Sequence, residues 1–242
     1  MNPLIIIPTR LSSVRLPNKP LADIGGKPMI MHVVEQSQKA NVGPVIVACD
    51  GPEIKNIVES YGAKAIITPP ELPSGTDRIF SALMQLEDNE KYDAIINVQG
   101  DLPLIKPELI KNMTDALYST GAEIATPVAE IHKESEIQSD AVVKVAVTIG
   151  ENNMGKALYF SRATIPWGAG PLYHHIGLYA YRRDALERFI ALPPSGLEQR
   201  EKLEQLRALE NGMSITAILA DEAPLGVDRP EDLEMVRKVY GE

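Results

Sequence analysis

Three cations, Arg10, Arg15 and Lys19, fall in one polar stretch, "PTRLSSVRLPNKPL", which runs from Pro8 to Leu21. A guanidinium can grip a phosphate through two parallel hydrogen bonds, and an ammonium acts as a point charge. Pro8, Pro17 and Pro20 keep the stretch out of regular helix or strand and reduce the entropy lost when it orders around a ligand. A solvated loop with ordinary charges is the alternative. Further along, "NVQGD" (Asn97–Asp101) ends in a carboxylate, and Gly100 permits a close backbone turn beside it. A carboxylate next to a phosphate site would repel the ligand unless a cation stood between them. Mg²⁺ is held in this way, by one or two carboxylates plus phosphate oxygens. "LGVDRPEDL" (Leu225–Leu233) offers Asp228 as a second carboxylate, although that position equally suits a turn or a helix cap.

These residues need a scaffold that brings three distant loops to one place. The apolar runs "LIII" (Leu4–Ile7), "VIVACD" (Val45–Asp50), "AKAIIT" (Ala63–Thr68) and "DAIINVQGD" (Asp93–Asp101) read as strands. Helical patterns separate and follow them, at Pro28–Ala40, Pro52–Gly62, Gly75–Glu87 and Pro107–Ser119, with Thr76 or Asp77 expected to cap the third. This order predicts an α/β fold with a mostly parallel central sheet flanked by helices. Ligands then bind beyond the carboxyl ends of the strands, where the basic loop and Asp101 both emerge.

After Gly121 the rhythm turns strand-rich: "EIATPVAEI", "AVVKVAVTI", "KALYFSRA" and "HHIGLYAYRR". A strand-rich insertion is expected around residues 126–175, within a single domain of 242 residues. "REKLEQLRALENG" (Arg200–Gly212) predicts one helix, "SITAILA" (Ser214–Ala220) a late strand, and "PEDLEMVRKVY" (Pro230–Tyr240) a closing helix.

The totals exclude several classes. A formal net charge of -9 argues against nonspecific nucleic-acid binding and makes a local basic cluster more informative. No Walker phosphate loop and no G-x-G-x-x-G follows the first strand, so neither a P-loop NTPase nor a dinucleotide-binding dehydrogenase is expected. The histidines lack zinc spacing, and Cys49 is the only cysteine. With no signal-peptide pattern and no apolar run near the ~20 residues of a membrane span, a soluble, cytoplasmic protein without a membrane or nucleic-acid partner is expected.

"IIIPTRLSSVRLPNKPLADIGGKPMI" closely resembles the amino end of the 3-deoxy-manno-octulosonate cytidylyltransferases, the CMP-Kdo synthetases. The resemblance continues, in order, through "SGTDRI", "NVQGD", "ALYFSRATIPW", "HIGLYAYRR", "LEQLRALENG" and "GVDRPEDLE", so it spans nearly the whole chain. It implies a nucleotide-diphospho-sugar transferase-like fold and transfer of CMP from CTP to Kdo, with release of pyrophosphate, for lipopolysaccharide synthesis. It also implies a cytoplasmic homodimer that requires Mg²⁺. An amino analogue of Kdo or another sugar acid as acceptor is the nearest alternative, and a noncatalytic CTP-binding protein of the same fold is the more distant one.

Roles carried over from the resemblance fall on Arg10, Arg15 and Lys19 for the triphosphate. Ser74, Gly75 and Arg78 belong to the cytosine-ribose side, Gln99 lies between nucleotide and sugar, and Asp101 and Asp228 are the metal ligands. Arg162, His175, Tyr179, Glu204 and Gln205 match the sugar-binding region. Arg162 can pair with the sugar carboxylate and the others can hydrogen-bond its hydroxyls. Each also has a plainer role open to it: Tyr179 in the core, Glu204 and Gln205 on a helix surface, Arg162 in a structural ion pair. Leu102 departs from the family pattern, which often has Glu after the metal aspartate.

Overall fold

The structure is a computed structural model that describes residues 1–12 and 15–241; Ser13 and Val14 of the basic stretch lie outside the described residues. The chain divides into two compact units, one of Met1–Lys111 with Pro224–Glu242 and one of Asn112–Ala223. The predicted strand-rich segment, 126–175, falls within the second.

In the first unit, β1 (Pro3–Pro8) is buried along its whole length, as a strand covered on both faces must be. A small antiparallel pair, β2 (Asp23–Ile24) and β3 (Lys27–Pro28), precedes α1 (Met29–Lys39). The chain continues through β4 (Val45–Cys49), α2 (Pro52–Ser60), β5 (Lys64–Ile67), α3 (Gly75–Met84) and β6 (Ala94–Asn97). These strands lie in the order β6-β1-β4-β5, every pair parallel, with Ile5 facing both Val45 and Ile96. Parallel neighbours need a crossover, and the intervening helices supply it by burying one apolar stripe each, Ile54 and Val58 on α2 and Ile79, Ala82 and Leu83 on α3. The α3 cap is Ser74, two residues before the expected Thr76 and three before Asp77. Its Oγ accepts a hydrogen bond from Asp77 N–H at 3.1 Å, while Thr76 is turned inward and buried.

After α4 (Pro107–Thr120), the second unit is built around β7 (Ile124–Glu130). It holds α5 (Glu134–Ile137), β8 (Lys144–Ala146), β9 (Met154–Lys156), β10 (Tyr159–Ser161), β11 (Tyr173–His175), β12 (Tyr179–Arg182), α6 (Arg183–Ala191), α7 (Gly196–Glu201), α8 (Gln205–Glu210) and β13 (Ile215–Ala220). One edge of β7 pairs with β13 in parallel; the other takes β11 and β12, both antiparallel, one after the other. The run from His174 to Arg183 is therefore two strands, where the sequence pattern predicts one. Leu178 N–H bonds back to Ile176 C=O at 2.7 Å, which kinks the chain between them.

The helix predicted over Arg200–Gly212 is likewise divided. Lys202 takes a left-handed conformation, φ 56°, and ends α7, after which Leu203 N–H reaches Glu198 C=O. The break lets Arg207 on α8 fold back onto Glu198 of α7 through two hydrogen bonds, 2.8 Å from Nε and 2.5 Å from Nη2. This nearly covered bidentate pair outweighs the continuous helical pattern of the sequence.

The chain closes in the first unit with α9 (Pro230–Val239). Its Leu233 and Val236 join Val227, Ile24 and Met29 in one apolar cluster, which fixes the turn that carries Asp228.

Candidate active site

A cavity of about 470 Å³ opens at the carboxyl ends of the parallel strands of the first unit. Arg10, Arg15, Lys19, Ser74, Gly75, Arg78, Gln99, Asp101 and Asp228 all line it, so the structure brings together every residue predicted for the nucleotide and the metal.

The local folding explains why. Gly100 sits where a Cβ would come 3.0 Å from Pro8 C=O, so a side chain there would crowd the end of β1 against the turn after β6. Asp101 C=O then accepts from Val227 N–H at 2.9 Å, which sets the Asp228 turn against the "NVQGD" turn. Lys19 enters from a short 3-10 turn, Lys19–Leu21, begun by Asn18 at φ 56°. Its Nζ donates to Asp101 Oδ2 at 2.8 Å and to Asp228 Oδ1 at 3.2 Å, while Arg15 Nη2 lies 3.5 Å from the same Asp228 oxygen.

The capping role open to Asp228 in the sequence is taken by a neighbour. Asp232 performs the turn and capping work, accepting from Asp228 N–H at 3.0 Å and Arg229 N–H at 2.9 Å. The Asp228 carboxylate is released from that duty and faces the cations.

Two carboxylates converging on one ammonium fit a Mg²⁺ site in their donor chemistry, for the ammonium already occupies a cation's place between hard oxygen donors. Among the described residues, no group of three or more His, Cys, Asp or Glu side chains could hold a metal without such help. A two-carboxylate site therefore needs its remaining ligands from water and substrate phosphate, which is the usual Mg²⁺ arrangement. Leu102, next to Asp101, is buried and would meet a Cβ on Gly226 at 3.5 Å, so it packs between the two turns.

Arg78 is buried and spends its guanidinium on the loop after β5, donating to Thr68 Oγ1 at 2.5 Å and to the carbonyls of Pro69 and Pro70. It shapes the cavity wall more than it offers a free charge. Ser74 Oγ caps α3 and donates to Asp77 Oδ2 at 2.6 Å. Gln99 Nε2 donates to Asn97 Oδ1 at 3.4 Å. The sequence reading missed Asp50, whose two oxygens accept from Leu11 N–H at 3.1 and 3.2 Å and so anchor the start of the basic loop. Its signal was available: like Asp101, it is an aspartate just past an apolar strand.

The second unit gathers the residues matched to the sugar. His175 is buried, with its ring centroid 4.9 Å from Phe160 and 5.4 Å from Tyr179. Gln205 Nε2 lies 3.5 Å from His175 Nδ1. Burial, then the neighbouring His174, pushes the His175 pKa from 6.5 down to about 3, so the ring is neutral. Burial, and after it Tyr181 and Glu204, push the Tyr179 hydroxyl pKa upward, so it stays protonated as a donor. Arg162 is engaged differently: Nε donates to Glu201 C=O at 2.9 Å, Nη1 to Asp140 C=O at 2.8 Å and Nη2 to Lys202 C=O at 3.4 Å. It caps the carbonyl end of α7, which leaves two of its five N–H groups for a ligand.

Set against known proteins, the sequence profile of the cytidylyltransferases matches residues 4–215. The chain is 53% identical over 238 residues to the 3-deoxy-manno-octulosonate cytidylyltransferase of Paramagnetospirillum magneticum, covering 98% of this chain and 97% of the relative. The chain belongs to the 3-deoxy-manno-octulosonate cytidylyltransferase family. The cytidylyltransferase of Bartonella henselae is 52% identical, with 99% of this chain and 98% of the relative covered. Among solved structures, a CMP:2-keto-3-deoxy-manno-octonic acid synthetase complexed with CTP superposes with a TM-score of 0.90 at 38% identity, covering 99% of this chain and 98% of that one. A nucleotidyl transferase from Methanothermobacter thermautotroptrophicus shares the fold alone, with a TM-score of 0.64 at 12% identity. The family and α/β class expected from the motifs are thus those of the cytidylyltransferases.

Proposed function

We infer that this chain is a nucleotidyltransferase that moves CMP from CTP to 3-deoxy-D-manno-octulosonate, releasing pyrophosphate and forming the activated sugar for lipopolysaccharide. The observation that carries the reading is the convergence of Lys19, Asp101 and Asp228 in the basic cavity of a chain from this family.

Arg10, Arg15 and Lys19 bind the triphosphate, and Ser74, Gly75 and Arg78 form the wall on the cytosine-ribose side. Asp101 and Asp228 hold Mg²⁺, which when bound neutralises charge on the phosphate oxygens. The anomeric hydroxyl of the sugar attacks the α-phosphorus. A new C–O–P linkage forms, the bond to the bridging oxygen breaks, and pyrophosphate leaves in line while the hydroxyl proton passes to solvent. Lys19, drawn off the carboxylates by the nucleotide, offsets charge building on the departing pyrophosphate. Positioning and charge neutralisation supply most of the acceleration. Arg162, His175, Tyr179, Glu204 and Gln205 receive the sugar, and Gln99 lines the nucleotide cavity.

The protein works as a cytoplasmic homodimer in this reading. Supporting it are the fully exposed Trp167 and the largely exposed Leu158 on the second unit, the single buried cysteine, and the lack, among the described residues, of any helix long and apolar enough to cross a membrane. Light scattering on the purified protein decides the oligomeric state.

The test of function is pyrophosphate release from CTP with Mg²⁺, with and without Kdo. Release that depends on Kdo supports the assignment. Release only with the amino analogue or another sugar acid moves the acceptor and keeps the chemistry, whereas CTP binding without release from any acceptor overturns the enzyme reading.

A further inference from the structure

Thr126 has no role in the reaction as described, yet it is completely buried on the central strand of the second unit, opposite the kink between β11 and β12. Its hydroxyl lies 2.7 Å from Leu178 C=O, 3.3 Å from Ile176 C=O and 3.0 Å from His175 Nε2. A threonine hydroxyl has one hydrogen to give. Both carbonyls can only accept, and the shortest contact, to Leu178, takes that hydrogen. Towards His175 the hydroxyl must then accept, so Nε2 carries the ring proton. A neutral imidazole has one donor and one acceptor, which makes Nδ1 the acceptor. The group facing Nδ1 is the amide of Gln205, and only its NH₂ can donate there. Three contacts thus close on one direction: Gln205 to His175, His175 to Thr126, Thr126 to the Leu178 carbonyl. The neutrality this requires agrees with the burial of the ring among Phe160 and Tyr179.

We propose that Thr126 is a positioning residue for the acceptor sugar: by fixing the His175 tautomer it fixes the Gln205 amide with nitrogen towards the histidine and oxygen left to accept from a substrate hydroxyl. The polarity excludes a role for Gln205 Oε1 in holding the sugar carboxylate, since two acceptors repel. It makes this side chain a reader of a hydroxyl, or of an amine in its place. A buried amide held in one orientation discriminates strongly, because a substrate lacking the donor leaves the acceptor unpaired. The proposal rests on Gln205 being a sugar-binding residue, and the experiment separates the two claims.

The variants are Thr126→Val, which keeps the shape and removes the hydroxyl, and Thr126→Ser, which restores it. Histidine ¹⁵N NMR on the full-length protein reports the tautomer, with His175→Gln supplying the assignment. The wild type is expected to show Nε2 protonated and Nδ1 free. Thr126→Val should shift the ring towards the Nδ1-protonated form and raise KM for Kdo by about tenfold, with KM for CTP unchanged. Thr126→Ser should recover both. An unchanged tautomer in Thr126→Val overturns the proposal, as does an equal rise in KM for both substrates. If Thr126→Val fails to fold by circular dichroism, Thr126→Cys, a weak acceptor, takes its place with the same expected outcomes. Should Gln205→Leu leave KM for Kdo unchanged, the sugar role of Gln205 falls, and with it the role of Thr126 for the substrate, whatever the tautomer shows.

Discussion

Lys19 Nζ donates to Asp101 Oδ2 at 2.8 Å, although the two residues are 82 positions apart in the chain. The lysine is mostly covered and the aspartate about one-third exposed, and the same ammonium also reaches Asp228. One cation therefore ties together the loops after β1 and β6 and the turn before α9. Asp101→Asn removes the charge that a metal needs while leaving an amide oxygen for Lys19. The expected outcome is a loss of Mg²⁺-dependent pyrophosphate release of at least about a hundredfold, with the thermal melt nearly unchanged. Normal turnover in this variant would refute the metal assignment.

Lys19 competes with any metal for these carboxylates, and that has a counterintuitive consequence. In Lys19→Gln the carboxylates of Asp101 and Asp228 lose their partner and repel each other, so a divalent cation gains more by binding. Calorimetry should find Mg²⁺ bound more tightly than in the wild type. Turnover should nevertheless fall, by about tenfold or more, because the departing pyrophosphate loses its cation. Weaker Mg²⁺ binding in Lys19→Gln would show that the lysine supports the metal site instead of competing with it.

Much of this arrangement is legible in the residues themselves. "LIII", "VIVAC" and "AIIN" are continuous apolar runs because parallel strands are covered on both faces, so the sheet that places Arg10, Lys19 and Asp101 at one end can be read directly. What stays hidden is decided by contacts between distant residues. No local pattern marks Lys202 as a helix end, because the break serves the pairing of Glu198 with Arg207. The kink at Ile176–Leu178 serves Thr126, which lies some fifty residues away in sequence. Asp228 is ambiguous alone because a cap and a ligand use the same side chain; only the folded turn shows that Asp232 does the capping and that the Asp228 carboxylate faces Lys19 instead.

Arg162 combines a structural duty with a proposed substrate duty, and the two separate experimentally. Removing its side chain strips donors from the carbonyls of Glu201, Lys202 and Asp140. Arg162→Ala is expected to lose roughly 0.5–1.5 kcal/mol of stability in urea unfolding, the net worth of a typical hydrogen bond, because the exposed carbonyls it leaves can turn to water. At a temperature where the variant remains folded, KM for Kdo should rise more than KM for CTP. A stability loss with equal effects on both substrates would make Arg162 a helix cap alone.

His175 gives the protein an acid sensitivity whose sign can be worked out. In the fold its pKa lies at about 3 because burial, and then His174, oppose the charged ring; in the unfolded chain it returns to the ordinary 6.5. Above pH 6.5 neither state binds the proton, and the residue costs nothing. Between 6.5 and about 3 the unfolded chain takes up a proton that the fold refuses, so stability falls as pH falls, by up to roughly 1.4 kcal/mol per pH unit. Glutamine at this position does not titrate and can still donate to Thr126. His175→Gln should therefore show a shallower loss of stability across this window in urea unfolding followed as a function of pH, the carboxylates and His174 supplying what remains. Parallel acid limbs for the two proteins would mean that His175 is protonated in the fold, which the direction of the Thr126 and Gln205 hydrogen bonds forbids.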